Sequence, residues 1–344
     1  MDDIWEYTHI TLAHGNGGRL MRTLIDEIFA RHLANPELDV NADAVSLSFS
    51  IIEKNNNDRK LMFTTDGFTV QPLEFPGGDI GSLAVYGTTN DLAVAGAIPL
   101  YLSLAVFIEE GLEIAQLERI IKSLGTAAAA LHVAVVAGDT KVLRRGEGGG
   151  LYLAMSGIGI QHGHKLGLDQ IRDGDAILVS GPIGDHGIAV MLAREEFGLS
   201  GELCSDAASV LPLTQAALKM PGLRFMRDPT RGGLATLCYE LNRSTNLGVI
   251  LNATSIPIRP QVQVVCDMLG YDPLYLACEG RVVAVIDSTQ AEALLTNWQE
   301  LPEGNGAMRI GEMTTKTKYV VLHTELGGER VLDVLENDPL PRIC

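Results

Sequence analysis

Asp79-Ile-Gly-Ser-Leu-Ala-Val-Tyr-Gly-Thr-Thr-Asn-Asp-Leu-Ala-Val-Ala-Gly-Ala97 reads as one long helix of small and apolar residues, with Asp91 set inside it. A carboxylate among Ala, Val, Leu and Gly is costly unless it is paired or bound to a cation. Elements alternate on either side. Downstream come a strand at Leu100–Phe107, a helix at Glu113–Leu131, a buried strand at Val133–Ala137 and a strand at Gly148–Ile160. Upstream, Ala44–Ile52 and Lys60–Thr65 read as strands joined by the turn Asn55–Asp58, a hairpin pattern. Before them lies a helix at Arg19–Leu33, with Leu20, Leu24, Ile25, Ile28 and Phe29 at helical spacing. The mixture is α+β, mixed sheets covered by helices.

A seam falls near His162–Arg172, and Asp173–Gly181 opens a second unit as a turn plus strand. Helices are expected at Gly184–Glu196, Leu213–Lys219, Gly232–Asn246 and Pro260–Leu269. Strands are expected at Val249–Asn252, Arg281–Ile286, Met308–Met313 and Tyr319–His323. The reading is two domains, 1–165 and 170–328, then a flexible tail, 329–344. That tail ends Asp338-Pro-Leu-Pro-Arg-Ile-Cys344, where Pro339 and Pro341 favour an extended path. Residues 331–344 span up to roughly 45 Å when extended. On these residues alone, Cys344 is either a mobile carrier thiol or a frayed end.

Composition narrows the function. The chain has 344 residues, 46% hydrophobic and 20% charged, a globular composition. A net charge of −17 with no basic block argues against a nucleic-acid surface. No apolar run reaches the ~18 residues of a membrane span. The start, Met1-Asp-Asp-Ile-Trp-Glu, lacks a secretory basic region. Five widely spaced cysteines without Cys-x-x-Cys point to a reducing cytoplasm, without a disulfide framework or structural zinc.

The chemistry concentrates in four acidic motifs beside glycine or small residues. Thr64-Thr-Asp-Gly67 sets Asp66 at a strand end, and Thr89-Asn-Asp-Leu-Ala93 sets Asp91 in the long helix. Ala137-Gly-Asp-Thr-Lys141 sets Asp139 just past a buried strand, and Asp228-Pro-Thr-Arg-Gly-Gly-Leu234 precedes a helix. One such Asp is well explained as a cap. Four together favour a hard-metal and phosphate site, since Mg²⁺ prefers carboxylate, water and phosphate oxygens. There is no Gly-x-x-x-x-Gly-Lys-Ser/Thr loop; His14-Gly-Asn-Gly-Gly18 and Gly77-Gly-Asp-Ile-Gly81 are the loops able to cradle phosphate. Ser180-Gly-Pro-Ile-Gly-Asp-His186 reads as a turn with a structural His186.

This set of motifs, with Gly138-Asp-Thr-Lys141 and Phe75-Pro-Gly-Gly-Asp-Ile-Gly81, resembles the ATP-binding superfamily of aminoimidazole ribonucleotide synthetase. Within it the chain looks most like the HypE family of NiFe-hydrogenase maturation factors. The sharpest likeness is Pro341-Arg-Ile-Cys344. One departure is Cys278 in Cys278-Glu-Gly-Arg281, where a small or amide residue is expected.

The resemblance implies a two-domain aminoimidazole ribonucleotide synthetase-like fold and a cytoplasmic homodimer formed through amino-terminal domains that bind ATP. The apolar strand Leu100–Phe107, as an exposed edge, is the candidate for burial there. It further implies that the carbamoyltransferase HypF loads a carbamoyl group onto Cys344. Mg²⁺ and ATP then serve its dehydration to a thiocyanate, and the cyano group passes to iron on a HypC–HypD complex. Asp66, Asp91, Asp139 and Asp43 are the implied metal ligands, with Asp228 close behind. Asn16, Gly17 and Gly18 would fold over phosphates, and Thr140 would bond one. Lys141 and Glu279 are the implied proton-transfer pair, although Lys141 can also neutralise phosphate and Glu279 can pair with Arg281. A small-molecule kinase or synthetase of the same fold is the alternative.

Overall fold

The computed structural model describes residues 7–15, 19–36, 38, 59–163, 166–194 and 201–333. In chain order the amino-terminal half runs α1 (Arg19–Leu24), β1 (Arg59–Phe68), β2 (Glu74–Phe75), β3 (Gly78–Asp79), α2 (Ile80–Val94), β4 (Ala97–Glu109), α3 (Ile114–Ala130), β5 (Ala134–Leu143) and β6 (Leu151–His162). Among the described residues its main sheet has the order β1-β6-β4-β5, with β4 and β5 parallel and the other pairs antiparallel. Alternation decides the faces. Leu102, Leu104, Val106 and Ile108 of β4 point into the core, and Tyr101, Ser103, Ala105 and Phe107 are half-exposed on the other side.

The carboxyl-terminal half runs β7 (Ala176–Val179), α4 (Asp185–Ala193), α5 (Leu211–Ala217), β8 (Leu223–Arg227), α6 (Gly233–Thr245), β9 (Gly248–Asn252), α7 (Pro260–Leu269), β10 (Val283–Ile286), α8 (Ala291–Gln299), β11 (Met308–Thr314), β12 (Val320–His323) and β13 (Glu329–Leu332). Its sheet has the order β13-β12-β9-β11-β7-β10-β8. Only β12 and β9 are parallel within it. Among the described residues no helix is long and apolar enough to cross a membrane.

Helix α2 is the axle between the halves. Asp79 caps it: its Oδ1 accepts from the amides of Gly81 and Ser82, and Ser82 Oγ accepts from the Asp79 amide. Of its fifteen residues all but Tyr86 and Asp91 are buried. Such burial needs a thin helix. A Cβ on Gly81 would stand 2.4 Å from the Ile120 carbonyl oxygen of α3. At its far end Ala93 and Val94 enter a cluster with Leu178, Val210, Leu213 and Trp298 of the carboxyl-terminal half. Each fully buried Val or Leu there contributes about 1.5–3 kcal/mol.

Several expectations are corrected. β4 is an interior strand between β6 and β5, so Leu100–Phe107 offers an open face rather than an open edge. β5 continues past Ala137 because its parallel pairing with β4 runs on through Leu143. Asp139, Thr140 and Lys141 therefore lie within the strand. β8 and α8 were not anticipated. Nor was β13, which takes Glu329–Leu332 out of the tail by pairing with β12 and burying Leu332. The strand expected at Ala44–Ile52 lies outside the described residues.

Gly81→Ala is expected to destabilise the protein by about 1–3 kcal/mol, the cost of overpacking a tight contact against backbone. Urea unfolding followed by circular dichroism checks this; an unchanged midpoint would show that α2 and α3 can separate freely.

Candidate functional site

The acidic motifs meet where β1, α2, the end of β8 and the loop before β10 come together. Thr64 and Asp66 alternate with outward residues along β1, and Thr64 Oγ1 donates to Asp91 Oδ2 at 2.8 Å. Asp228 follows β8, buried. The backbone amide of Cys278 donates to Pro229 O at 3.1 Å, which ties the Glu279 loop to the residue after Asp228. Glu279 is held through its backbone on both sides. Its amide donates to Asp206 Oδ1 at 3.1 Å, and its carbonyl accepts from Asn90 Nδ2 at 3.2 Å. Its carboxyl is 3% exposed, and Oε1 is buried without a hydrogen-bond partner among the described residues.

The electrostatics follow from this crowding. Burial raises the Glu279 carboxyl well above its ordinary range, and the charges of Asp228, Asp206, Asp66 and Asp91 add to it. Burial and then Asp91 push Asp228 from 3.8 up to about 7. Asp91 is raised by burial against the Thr64 hydrogen bond that holds it down. Asp66 is raised by burial, opposed by the Gly67 amide and the Arg231 charge. Mutually repelling carboxylates, with one orphaned carboxyl oxygen, form a set of hard oxygen donors suited to a divalent cation. Yet among the described residues no three Asp, Glu, His or Cys side chains converge closely enough to grip a metal by themselves.

Beside them, Thr64, Asp91, Asp228 and Arg227 line a cleft of about 450 Å³ whose other walls are Met62, Leu92, Val94, Leu166 and Phe225. A larger hollow of about 790 Å³ lies on the carboxyl-terminal sheet, lined by residues of β9, β11 and β12 and remote from this cluster.

The sheet separates the remaining expected residues. Gly67, Ala154, Ala105 and Asp139 form one cross-strand row. Three strand spacings put Asp139 about 14 Å across the sheet from the β1 edge. Asp139 and Lys141 pair with each other at 3.0 Å, both exposed, an ion pair of about 0–1 kcal/mol that exchanges partners readily. Within one chain, then, Asp139 does not join Asp66 and Asp91, and Lys141 does not meet Glu279. Thr140, alternating with them, is buried on the opposite face. Asn16, Gly17, Gly18, Asp43 and Cys344 lie outside the described residues. Cys278 is buried, and burial holds its thiol well above the ordinary range, so it is inert. His186 is likewise buried and shares a 2.8 Å hydrogen bond with Ser205.

Asn90 and Asp206 position the site without having been singled out as site residues. Asn90 stood inside a quoted motif, but its partners Ala208, Val210 and Glu279 are more than a hundred residues away. Asp206 carried no local signal at all.

Comparison with known proteins gives a consistent picture. Residues 42–161 match the AIR synthase related protein N-terminal domain, and residues 172–324 match the corresponding C-terminal domain. The chain is 41% identical over 338 residues to the carbamoyl dehydratase HypE of Rhodobacter capsulatus, covering 97% of this chain and 98% of that one. A crystal structure of the hydrogenase maturation protein HypE in complex with ATP superposes with a TM-score of 0.89 at 40% identity, covering 97% of this chain and 99% of the other. The crystal structure of a HypE–HypF complex matches with a TM-score of 0.77 at 38% identity, covering 91% and 99%.

Asp228 binds its proton more tightly when folded, near 7, than when unfolded, near 3.8. Its contribution to stability is complete below the unfolded value and is lost as pH rises through the folded one. With a chelator present, raising pH from 5 to 8 should therefore cost the wild type up to about 2–3 kcal/mol more than it costs Asp228→Asn. Urea midpoints at the two pH values measure the difference; parallel losses would show that Asp228 is ordinary.

Proposed function

The chain belongs to the AIR synthase related family and, within it, to the HypE carbamoyl dehydratases; on that premise we propose that Cys344 carries the carbamoyl group and that Glu279 is the base that removes its nitrogen protons. The activity is ATP-dependent carbamoyl dehydration in hydrogenase maturation. The observation that carries the residue assignment is the buried, backbone-clamped Glu279, with its orphaned oxygen, beside Asp66, Asp91 and Asp228.

The carbamoyl oxygen attacks the γ-phosphorus of ATP; the bond to ADP breaks and one nitrogen proton leaves, giving an O-phosphorylated imidate on sulfur. Loss of phosphate with the second nitrogen proton forms the nitrile. An amide oxygen leaves poorly; as phosphate it leaves well. Burial makes Glu279 a stronger proton acceptor than an ordinary carboxylate, and its fixed backbone keeps it in place. The amides of Asn16, Gly17 and Gly18 would hold phosphates, and Asp66 and Asp91, with Asp228 and Asp43, would hold magnesium together with those phosphates. When bound, magnesium spreads charge on the transferring phosphoryl group.

We extend the proposal to a homodimer. Leu61 and Phe63 stand 53% and 67% exposed on the open face of the amino-terminal sheet, the face that also carries Asp139 and Lys141. A second copy on that face would cover the apolar residues and let Asp139 and Lys141, so remote within one chain, serve the site of the other copy. Thr140 then acts from the core side by fixing its strand. HypF, with which the relative forms a complex, is the carbamoyl donor, and an iron-bearing HypC–HypD complex is the acceptor, all in the cytoplasm.

Intact-protein mass spectrometry tests the reading. After carbamoylation by HypF, magnesium and ATP should remove one water's mass from the peptide bearing Cys344 and release phosphate. Glu279→Gln should accept the carbamoyl group and slow the water loss by about 10²–10⁴-fold. If ATP is consumed while the modified Cys344 keeps its water, the assignment fails and a kinase-like reaction replaces it.

A further inference from the structure

The described chain ends in a clasp. β13 pairs with β12 in the register Val320 to Leu332, and Leu332 is 4% exposed. One residue on, the Tyr275 hydroxyl donates to the Asp333 carbonyl oxygen at 2.7 Å. Beside it Arg330 Nη2 meets Asp272 Oδ2 at 2.8 Å. Asp272 in turn caps the 3-10 turn Pro273–Tyr275, its Oδ1 accepting from the Leu274 amide at 3.0 Å. Both ties therefore land on one short segment, and four residues past Tyr275 that segment reaches Glu279.

The segment is firmly seated. Tyr275 is 9% exposed, and Leu276, Ala277, Cys278 and Glu279 are all buried. The Gly187 amide donates to Ala277 O, and the Cys278 amide to Pro229 O. From Tyr275 to Glu279 the backbone spans at most about 14 Å, and residues 334–344 can span about 36–40 Å. The chain beyond Asp333 thus exceeds the gap back to Glu279, which is that short backbone plus one tyrosine side chain.

Resting on the reading of Cys344 as carrier thiol, we propose that Tyr275 is a positioning residue that pins the root of the carrier arm, at Asp333, to the same segment that holds Glu279. The pin confines the arm to residues 334–344. With the clasp open, β13 can peel from β12, and the tether becomes residues 329–344. Once a tether exceeds the span, effective concentration falls roughly as the −3/2 power of its length, so release lowers the local concentration of Cys344 at Glu279 by about 1.8-fold. Tyr275 does not touch the reacting atoms. It acts through where the arm begins.

The test compares the reaction on the protein's own arm with the same reaction on a free substrate. Single-turnover dehydration of carbamoylated Cys344 is timed by mass spectrometry in the full-length wild type, in Tyr275→Phe, and in Arg330→Ala, which opens the second tie. A carbamoylated peptide of sequence 338–344 is then supplied to full-length Cys344→Ala with and without Tyr275→Phe. Each clasp variant should slow its own arm's reaction by about 1.8-fold, and Tyr275→Phe should leave peptide dehydration and ATP binding unchanged. Equal loss on arm and peptide would overturn the proposal, because Tyr275 would then be supporting the Glu279 loop. An unchanged rate on the arm would overturn it too. If the wild type itself never loses water from carbamoylated Cys344, the carrier reading fails first and this inference falls with it.

Discussion

The side chain of Asn90 is the joint on which the site depends. Its Nδ2 donates to Ala208 O at 2.9 Å and to Glu279 O at 3.2 Å, and its Oδ1 accepts from Val210 N at 2.9 Å. One amide thus binds α2 of the amino-terminal half to two segments of the carboxyl-terminal half, with every partner buried or nearly so. A hydrogen bond in such a place contributes about 1 kcal/mol when made, and leaves a desolvated donor or acceptor behind when broken. The geometric effect is larger. Asp91 follows Asn90 directly, so the bonds that seat Asn90 also set the distance between Asp91 and Glu279.

The remainder of the junction serves that joint. Glycine at position 81 lets α2 lie against α3, and Ala93 and Val94 carry the helix into the second core. Behind the Glu279 loop stands a buried charge network. Arg281 faces Asp206 at 3.4 Å and Asp185 at 3.6 Å, and Arg259 donates to Asp185 at 2.8 Å. Two cations balance two carboxylates, so the loop is backed by a neutral, directional frame. On the cleft side, burial first and then mutual repulsion raise the proton affinities of Asp91, Asp228 and Glu279, and Arg227 only partly offsets this at Asp91 and Asp228. Excess negative charge beside a cleft of about 450 Å³ suits a cation.

Strand β5 shows how tertiary pairing redistributes roles that a motif appears to hold together. Ala137-Gly-Asp-Thr-Lys141 reads locally as a loop presenting three polar groups. Paired with β4, it alternates: Asp139 and Lys141 face out, and Thr140 faces in. The same pairing places Asp139 at the edge of the described sheet opposite β1. The root of the tail is a strand for a similar reason. Glu329–Leu332 is charged and unremarkable in composition, yet β12 offers it a free strand edge, and the pairing satisfies backbone groups that composition does not describe.

The α+β class, the long buried α2 and the acidic motifs were legible in the sequence because each rests on local physics. Hydrophobic period, helix-capping chemistry and the cost of a carboxylate among small residues are all written within a few positions. Pro260–Leu269 was legible to the residue, since proline starts the helix and Gly270, at φ +74°, ends it. What the tertiary structure alone decided was which acidic groups cluster. Asp66, Asp91, Asp228 and Glu279 come from four separate stretches of chain, and Asp139, equally conspicuous as a motif, is left across the sheet. Sheet order and the contacts of Asn90 and Asp206 settle that choice. Those are pairings between residues far apart in the chain, 73 positions for Asp206 with Glu279 and 189 for Asn90 with Glu279, and no local pattern encodes the distance between them.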